Sequence, residues 1–256
     1  MNWQALDASI LGPALLAGLL VSATHVPLGR RVLARGIIFL DLAVAQMAGL
    51  GLIAAHSFDW QPGDWQMQAI AFVTAAVGCV LLSFTERRWS QLQEALIGSL
   101  FVLASSGGIL LLASNPHAGE HLRELLVGQI LWVSYGQLLP VALLYGVILG
   151  LWFGFGHRSS SLSFYLLFAL TITASVQLVG VYLVFASLIL PALAVRRLSR
   201  HAHAWGYGIA ATGYALGLLG AALLDLPAGA VIVYALALTA FVLGWFLQVS
   251  RLARFV

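Results

Sequence analysis

The chain has 256 residues, of which 61% are hydrophobic and only 8% charged, and its formal net charge is +3. Soluble domains carry about 25% charged residues, so the composition excludes a globule covered on all sides by water and points to lipid as the solvent. All 12 basic residues are arginine, spread over separate short loops, which excludes a nucleic-acid-binding patch.

In chain order, apolar runs fall at 9–28, 36–55, 67–84, 95–114, 137–156, 162–179, 180–195, 205–224 and 228–249. Each is bounded by charge or turn residues and is close to the roughly 17–25 residues a spanning helix needs. None alternates every second residue as barrel strands do, and a helix satisfies its own backbone polar groups in lipid. The predicted fold class is therefore all-α: a polytopic transmembrane helical bundle of about 8–9 spans, with 1–256 as a single transmembrane domain. The first run has no basic stretch before it and only Asp7 as an early charge, so it reads as a retained helix, not a cleaved signal peptide. The stretch 162–195 is one long apolar segment containing Gly180, either two spans or one span and a re-entrant hairpin. The polar segments 56–66 and 114–124 are too short to fold alone. No G-x-x-x-x-G-K-[ST] pattern is present, so ATP-driven work would have to come from a partner.

The arginines predict an orientation. Arg30, Arg31, Arg35, Arg87, Arg88, Arg158, Arg196, Arg197, Arg200, Arg251 and Arg254 fall on one side of a nine-crossing arrangement, and only Arg123 on the other. The positive-inside rule then places the N-terminus outside and the C-terminus in the cytoplasm. The one cysteine, Cys79, lies in an apolar run and allows no intrachain disulfide.

Asp41 stands inside an apolar span, six residues beyond Arg35. A carboxylate there costs roughly 2.5–3.5 kcal/mol on insertion scales and by default marks a bundle interior or wet path. The structural alternative is a partner for a helix terminus or for Arg35. His25 precedes Arg30 by five residues. If the first two spans form an antiparallel hairpin, His25 and Asp41 reach a similar depth, roughly 7–9 Å above the arginines. Together they offer nitrogen and oxygen donors for a divalent ion; a neutral His bonded within the bundle is the alternative. Gln177 is polar at depth and either lines the path or bonds between helices. Gln46 lies off the Asp41 face and reads as packing. His117 and His121 match H-x-x-E-H with Glu120, a zinc-peptidase pattern, but Pro116 and Gly119 sit badly with the helix that chemistry needs. They read as candidate external metal contacts or as a solvated loop. No G-x-S-x-G and no suitable Cys–His pair appears, so no catalytic residue is assigned. Gly213 and Gly217 form a G-x-x-x-G that reads as helix packing.

Three stretches resemble the permease subunits of zinc and manganese ABC importers. One runs from Ala14 to Gly51, with Pro-Leu-Gly-Arg-Arg-Val-Leu-Ala-Arg-Gly and then Asp41, similar to a family segment holding Gly-Asp-x-x-Ser-His-Ala. The second, Gly180 to Arg197, resembles the family's V-G-x-L-L-V-x-A-L-L-I-I-P-A-A-x-A-R. The third, Leu224-Asp-Leu-Pro-Ala-Gly-Ala, is similar to its D-L-P-S-G-P turn, and Leu122 to Ser134 is a weaker likeness. The family's His four residues after the Asp falls on Ala45, and Leu40 replaces the Gly before it. Only Asp41 carries over, and His25 is the candidate for the missing nitrogen.

The resemblance implies an importer permease of the inner membrane that carries zinc or manganese as substrate and holds no permanent cofactor. It also implies cytoplasmic ATPase subunits, an extracytoplasmic metal-binding protein and a second copy of the chain as a homodimer. Coupling to the ATPase would fall on Arg196, Arg197, Arg200, His201 and His203, and hinge motion on Gly180 and Pro191. The alternatives are a permease for a metal chelate or siderophore, an intramembrane metalloenzyme and a passive membrane scaffold.

Overall fold

The computed structural model describes residues 7–57, 63–112, 128–155, 160–198 and 201–252. Among these residues there are nine α-helices and no strand. They are α1 (Ala8–Arg35), α2 (Leu40–Ser57), α3 (Asp64–Arg88), α4 (Gln93–Leu112), α5 (Tyr135–Phe155), α6 (Ser161–Val179), α7 (Val181–Ala194), α8 (Ala202–Leu224) and α9 (Ala228–Leu252). Seven are long and apolar enough to cross a bilayer, and α2 and α7 are shorter. The polytopic helical bundle is as the apolar runs predict.

One boundary differs from the sequence reading, and one open choice is decided. The first run was expected to stop at 28, yet α1 continues through Pro27, Gly29 and the arginines to Arg35. Long arginine side chains let a helix leave the apolar layer without ending there. Gly36, at φ +70°, then supplies the left-handed turn that stops it. The stretch 162–195 is two helices, broken at Gly180, whose φ of 81° and ψ of 162° suit glycine alone. The 14 residues of α7 rise about 21 Å, less than a hydrocarbon core of about 30 Å. Most of α7 is buried in protein, including Val181, Leu183, Ser187, Leu188 and Pro191.

At the start of α1, Asp7 acts as the cap. Its carboxylate accepts from the Ser9 N–H at 2.8 Å and the Ser9 hydroxyl at 2.7 Å. These bonds hold the Asp7 carboxyl below its ordinary value.

The chain divides into two compact units. One comprises Met1–Arg35, Val127–Tyr145 and Leu178–Val256. In it α7 packs on α1 and α9, and α8 packs on α1 and α9. Small residues set the spacing. A Cβ at Gly29 would strike the Leu188 carbonyl oxygen, so α1 and α7 approach backbone to backbone. Gly213 and Gly217 face Leu236 and Ile232 of α9, which makes the G-x-x-x-G a packing device, as expected. Gly128, at φ +68°, sits on the Val179–Gly180 peptide, so the α6–α7 break is held by a second glycine.

The other unit comprises Gly36–Leu126 and Gly146–Gln177. Here α2 packs on α3 and α4. Phe164 of α6 lies with its ring centroid 5.7 Å from Phe168, 5.6 Å from Tyr165 and 6.0 Å from Trp152 of α5. Where α3 turns into α4, buried Gln93 donates to the Leu82 carbonyl at 2.9 Å and to the Tyr165 hydroxyl at 3.0 Å. The Thr85 hydroxyl donates to the Gln93 side-chain oxygen Oε1 at 3.1 Å. This satisfied network fixes the first residue of α4 against α3 and α6.

Candidate functional site

His25 lies in α1, fully buried. Its Nδ1 is 2.9 Å from the Val21 carbonyl oxygen one turn earlier and 3.1 Å from the Thr24 hydroxyl. A carbonyl only accepts, so the ring proton sits on Nδ1 and Nε2 keeps a free lone pair. A backbone carbonyl holding the far ring nitrogen is the usual support for a metal-ligating histidine. Two residues on, Pro27 removes the N–H that would have met the Ala23 carbonyl. Tyr207 of α8 fills that gap, its hydroxyl donating to the Ala23 carbonyl at 3.2 Å. The turn that carries His25 is thus tied to α8 in the place where its own hydrogen-bond ladder is broken.

Asp41 lies in the first turn of α2 and is 1% exposed. Its carboxylate takes hydrogen bonds from the backbone of that turn, which fits the terminus-capping alternative for part of the group. Its Oδ1 is left over. Among the described residues, four buried side-chain polar atoms have no hydrogen-bond partner: His25 Nε2, Asp41 Oδ1, Glu94 Oε2 and Thr173 Oγ1. Buried polar atoms are nearly always paired, and exceptions need an explanation. Two of these atoms belong to residues that the sequence singled out. Glu94 and Thr173 were missed. An acid in the first turn of a span also reads as a solvated helix start, and a lone threonine gives no signal.

His25 and Asp41 fall in different units. Gln177, expected on the path, is exposed at the end of α6, and its side-chain oxygen accepts from the Gln68 amide of α3. That is the interhelix alternative at work. Gln46 is half-buried on α2. Ala45, one turn beyond Asp41, is buried. No group of three or more His, Cys, Asp or Glu is placed to hold a metal among the described residues.

Of the coupling candidates, Arg196 and Arg197 are exposed in the turn after α7. His201 adopts a left-handed conformation, φ 56°, at the head of α8. His203 lies in the first turn of α8, with both ring nitrogens 3.2 Å from Arg30 Nη1 of α1. The start of α8 is therefore joined to the last turns of α1 through His203 and Arg30. Pro191 lies buried inside α7, three residues before its end. His117, His121 and Arg200 lie outside the described residues.

The comparisons with known proteins agree with this architecture. The ABC 3 transport family matches residues 7–159 and 152–248. The chain belongs to that family, the ABC-3 or metal ABC transporter permeases. It is thus the membrane-spanning subunit of an ABC transporter and not an enzyme, and ATP hydrolysis resides on a separate subunit. It is also similar to the uncharacterized membrane protein slr2045 of Synechocystis sp., 28% identical over 208 residues, covering 74% of this chain and 72% of that one. Two solved structures share the fold. PsaBC from Streptococcus pneumoniae, solved in complex with Fab, has a TM-score of 0.74, 19% identity and 95% coverage of both chains. An inward-facing structure of a transporter assigned to the metal-chelate ABC type has a TM-score of 0.66 and 18% identity, covering 91% of this chain and 85% of that one.

Proposed function

We propose that this permease imports a divalent metal ion, zinc or manganese, into the cytoplasm, with Asp41 and His25 as transient donors along the route. The observation that carries the reading is the pair of buried ligand atoms, Asp41 Oδ1 and His25 Nε2, each without a hydrogen-bond partner. A carboxylate oxygen and an imidazole nitrogen are suitable donors for first-row divalent ions. A route needs sites weak enough to release their ion, and neither unit supplies more than a partial set among its described residues.

In this reading 1–256 is one permease domain that works as a homodimer, with two cytoplasmic ATPases and an extracytoplasmic metal-binding protein. Arg196, Arg197, Arg200, His201 and His203 receive the ATPase motion, and Gly180 with Pro191 gives α7 freedom to move. The link from His203 to Arg30 supports a route for that motion into α1, the helix carrying His25. Gln177 keeps a minor place as a path residue, and His117 and His121 as collectors at the external mouth. The N-terminus lies outside and the C-terminus in the cytoplasm.

The test is uptake of radiolabelled zinc and manganese by metal-starved cells carrying wild type, His25→Ala or Asp41→Ala at matched membrane levels. Loss of a metal ligand or its support costs about 10–100-fold in affinity, so both variants should lose most uptake. Wild-type uptake in both variants would reject this route.

A further inference from the structure

Two of the four unpartnered buried atoms, Asp41 Oδ1 and Glu94 Oε2, belong to residues of the second unit that both reach the start of α2. Glu94 follows Gln93, the residue clamped by Leu82, Thr85 and Tyr165, so its backbone position is fixed. Its Oε1 accepts from the Phe39 N–H at 3.2 Å, and the Ile38 N–H points to the same carboxylate. Glu94 of α4 therefore reaches the open end of α2, two residues before Asp41. The two carboxylates are close enough to interact electrostatically.

Capping α2 accounts for one oxygen of each group. It leaves Asp41 Oδ1 and Glu94 Oε2, both buried and both unpartnered. Asp41 is buried and Glu94 half-buried; like charges near one helix start repel each other, and a shared cation or proton relieves the repulsion. Position 45, one turn beyond Asp41 on the same helix, is an alanine and offers no nitrogen there. Carboxylate oxygens completed by water suit hard ions such as manganese, whereas zinc is better served by nitrogen and sulfur.

We propose that Asp41 and Glu94 form a two-carboxylate cation subsite at the start of α2, and that Glu94 biases the permease toward manganese over zinc. The proposal rests on the metal-import reading and adds Glu94 to it as a specificity-determining residue.

Glu94→Gln is the informative variant, because the amide oxygen can still accept from Phe39 while the charge is lost. The transporter, purified with its ATPase partner, is titrated with manganese alone and followed by the six-line EPR signal of the free ion. Zinc affinity is read by competition, and uptake of both metals is measured in cells. Glu94→Gln should weaken manganese binding at least about tenfold, lower the manganese-to-zinc uptake ratio, and be rescued by Glu94→Asp. Glu94→His should move the ratio further toward zinc, and it serves as the readout if the Gln variant fails to reach the membrane. A wild-type ratio in either membrane-inserted variant would overturn the proposal, as would manganese binding unaffected by the loss of charge, the result expected of a pair that shares only a proton. Wild-type cells importing neither metal would remove the cargo reading and this subsite together; a working wild type with an indifferent Glu94 removes the subsite alone.

Discussion

At His25 the position of one proton decides what chemistry is open. The Val21 carbonyl binds Nδ1–H, so the free lone pair is on Nε2, deep in α1. The same turn contains Pro27, whose missing N–H is compensated by Tyr207. Tyr207→Phe should therefore loosen the His25 turn without touching any ligand atom. The lost bond is worth about 0.6 kcal/mol by membrane-protein precedent, so a small fall in the unfolding temperature of the purified chain is expected, with metal uptake reduced far less than in His25→Ala. A Tyr207→Phe variant as inactive as His25→Ala would assign Tyr207 a direct role. At this scale the sequence was legible where a polar group stood alone in an apolar run. Asp41 and His25 announce themselves in that way. Glu94 does not, because an acid in the first turn of a span also reads as a solvated helix start. Only the tertiary fold, which brings the head of α4 to the head of α2, gives it a neighbour.

Between helices, glycine sets how closely backbones approach. A Cβ at Gly217 would come within 2.5 Å of the Ile232 Cα, a backbone atom that cannot move aside. At Gly98 a Cβ would meet nothing within 4 Å. Gly217→Leu should therefore force α8 and α9 apart, at a cost of about 1–3 kcal/mol for overpacking. Gly98→Ala should be neutral or slightly stabilising, since alanine is favoured over glycine within helices by roughly 1 kcal/mol. The yield of monodisperse protein in detergent, compared for the two variants, checks this pair; equal yields would show that the α8–α9 seam tolerates separation. The G-x-x-x-G spacing was visible in the sequence, and its partner helix was not. The end of α1 was misplaced for a related reason. A charge bounds an apolar run but does not end a helix, because arginine carries its head group away from the axis. The break at Gly180 was legible as a position. The shortness and burial of α7 follow from its packing on α1, α8 and α9, which no local pattern encodes.

For the whole molecule, the decisive feature is what remains exposed. Val73, Val77 and Phe84 on α3, Val102, Leu103 and Leu110 on α4, Leu139 and Leu143 on α5, and Tyr234 and Phe241 on α9 are all exposed. In water such faces would aggregate; against acyl chains they are the expected surface. Both units display them, so both belong in the bilayer. The orientation proposed within it rests on the arginines. Arg30, Arg31 and Arg35 end α1, Arg87 and Arg88 end α3, and Arg196 and Arg197 follow α7. If successive helices reverse direction, these three ends lie on one face, and the positive-inside rule puts that face in the cytoplasm. Tags placed within 56–66 and within 196–204 should therefore report opposite compartments, the first accessible to an impermeant thiol reagent from outside and the second only after the membrane is opened. Labelling of both from one side would mean that α7 does not return the chain across the bilayer. Residues 196–204 would then be unavailable to a cytoplasmic ATPase, and the proposed path from His203 through Arg30 into α1 would have no input.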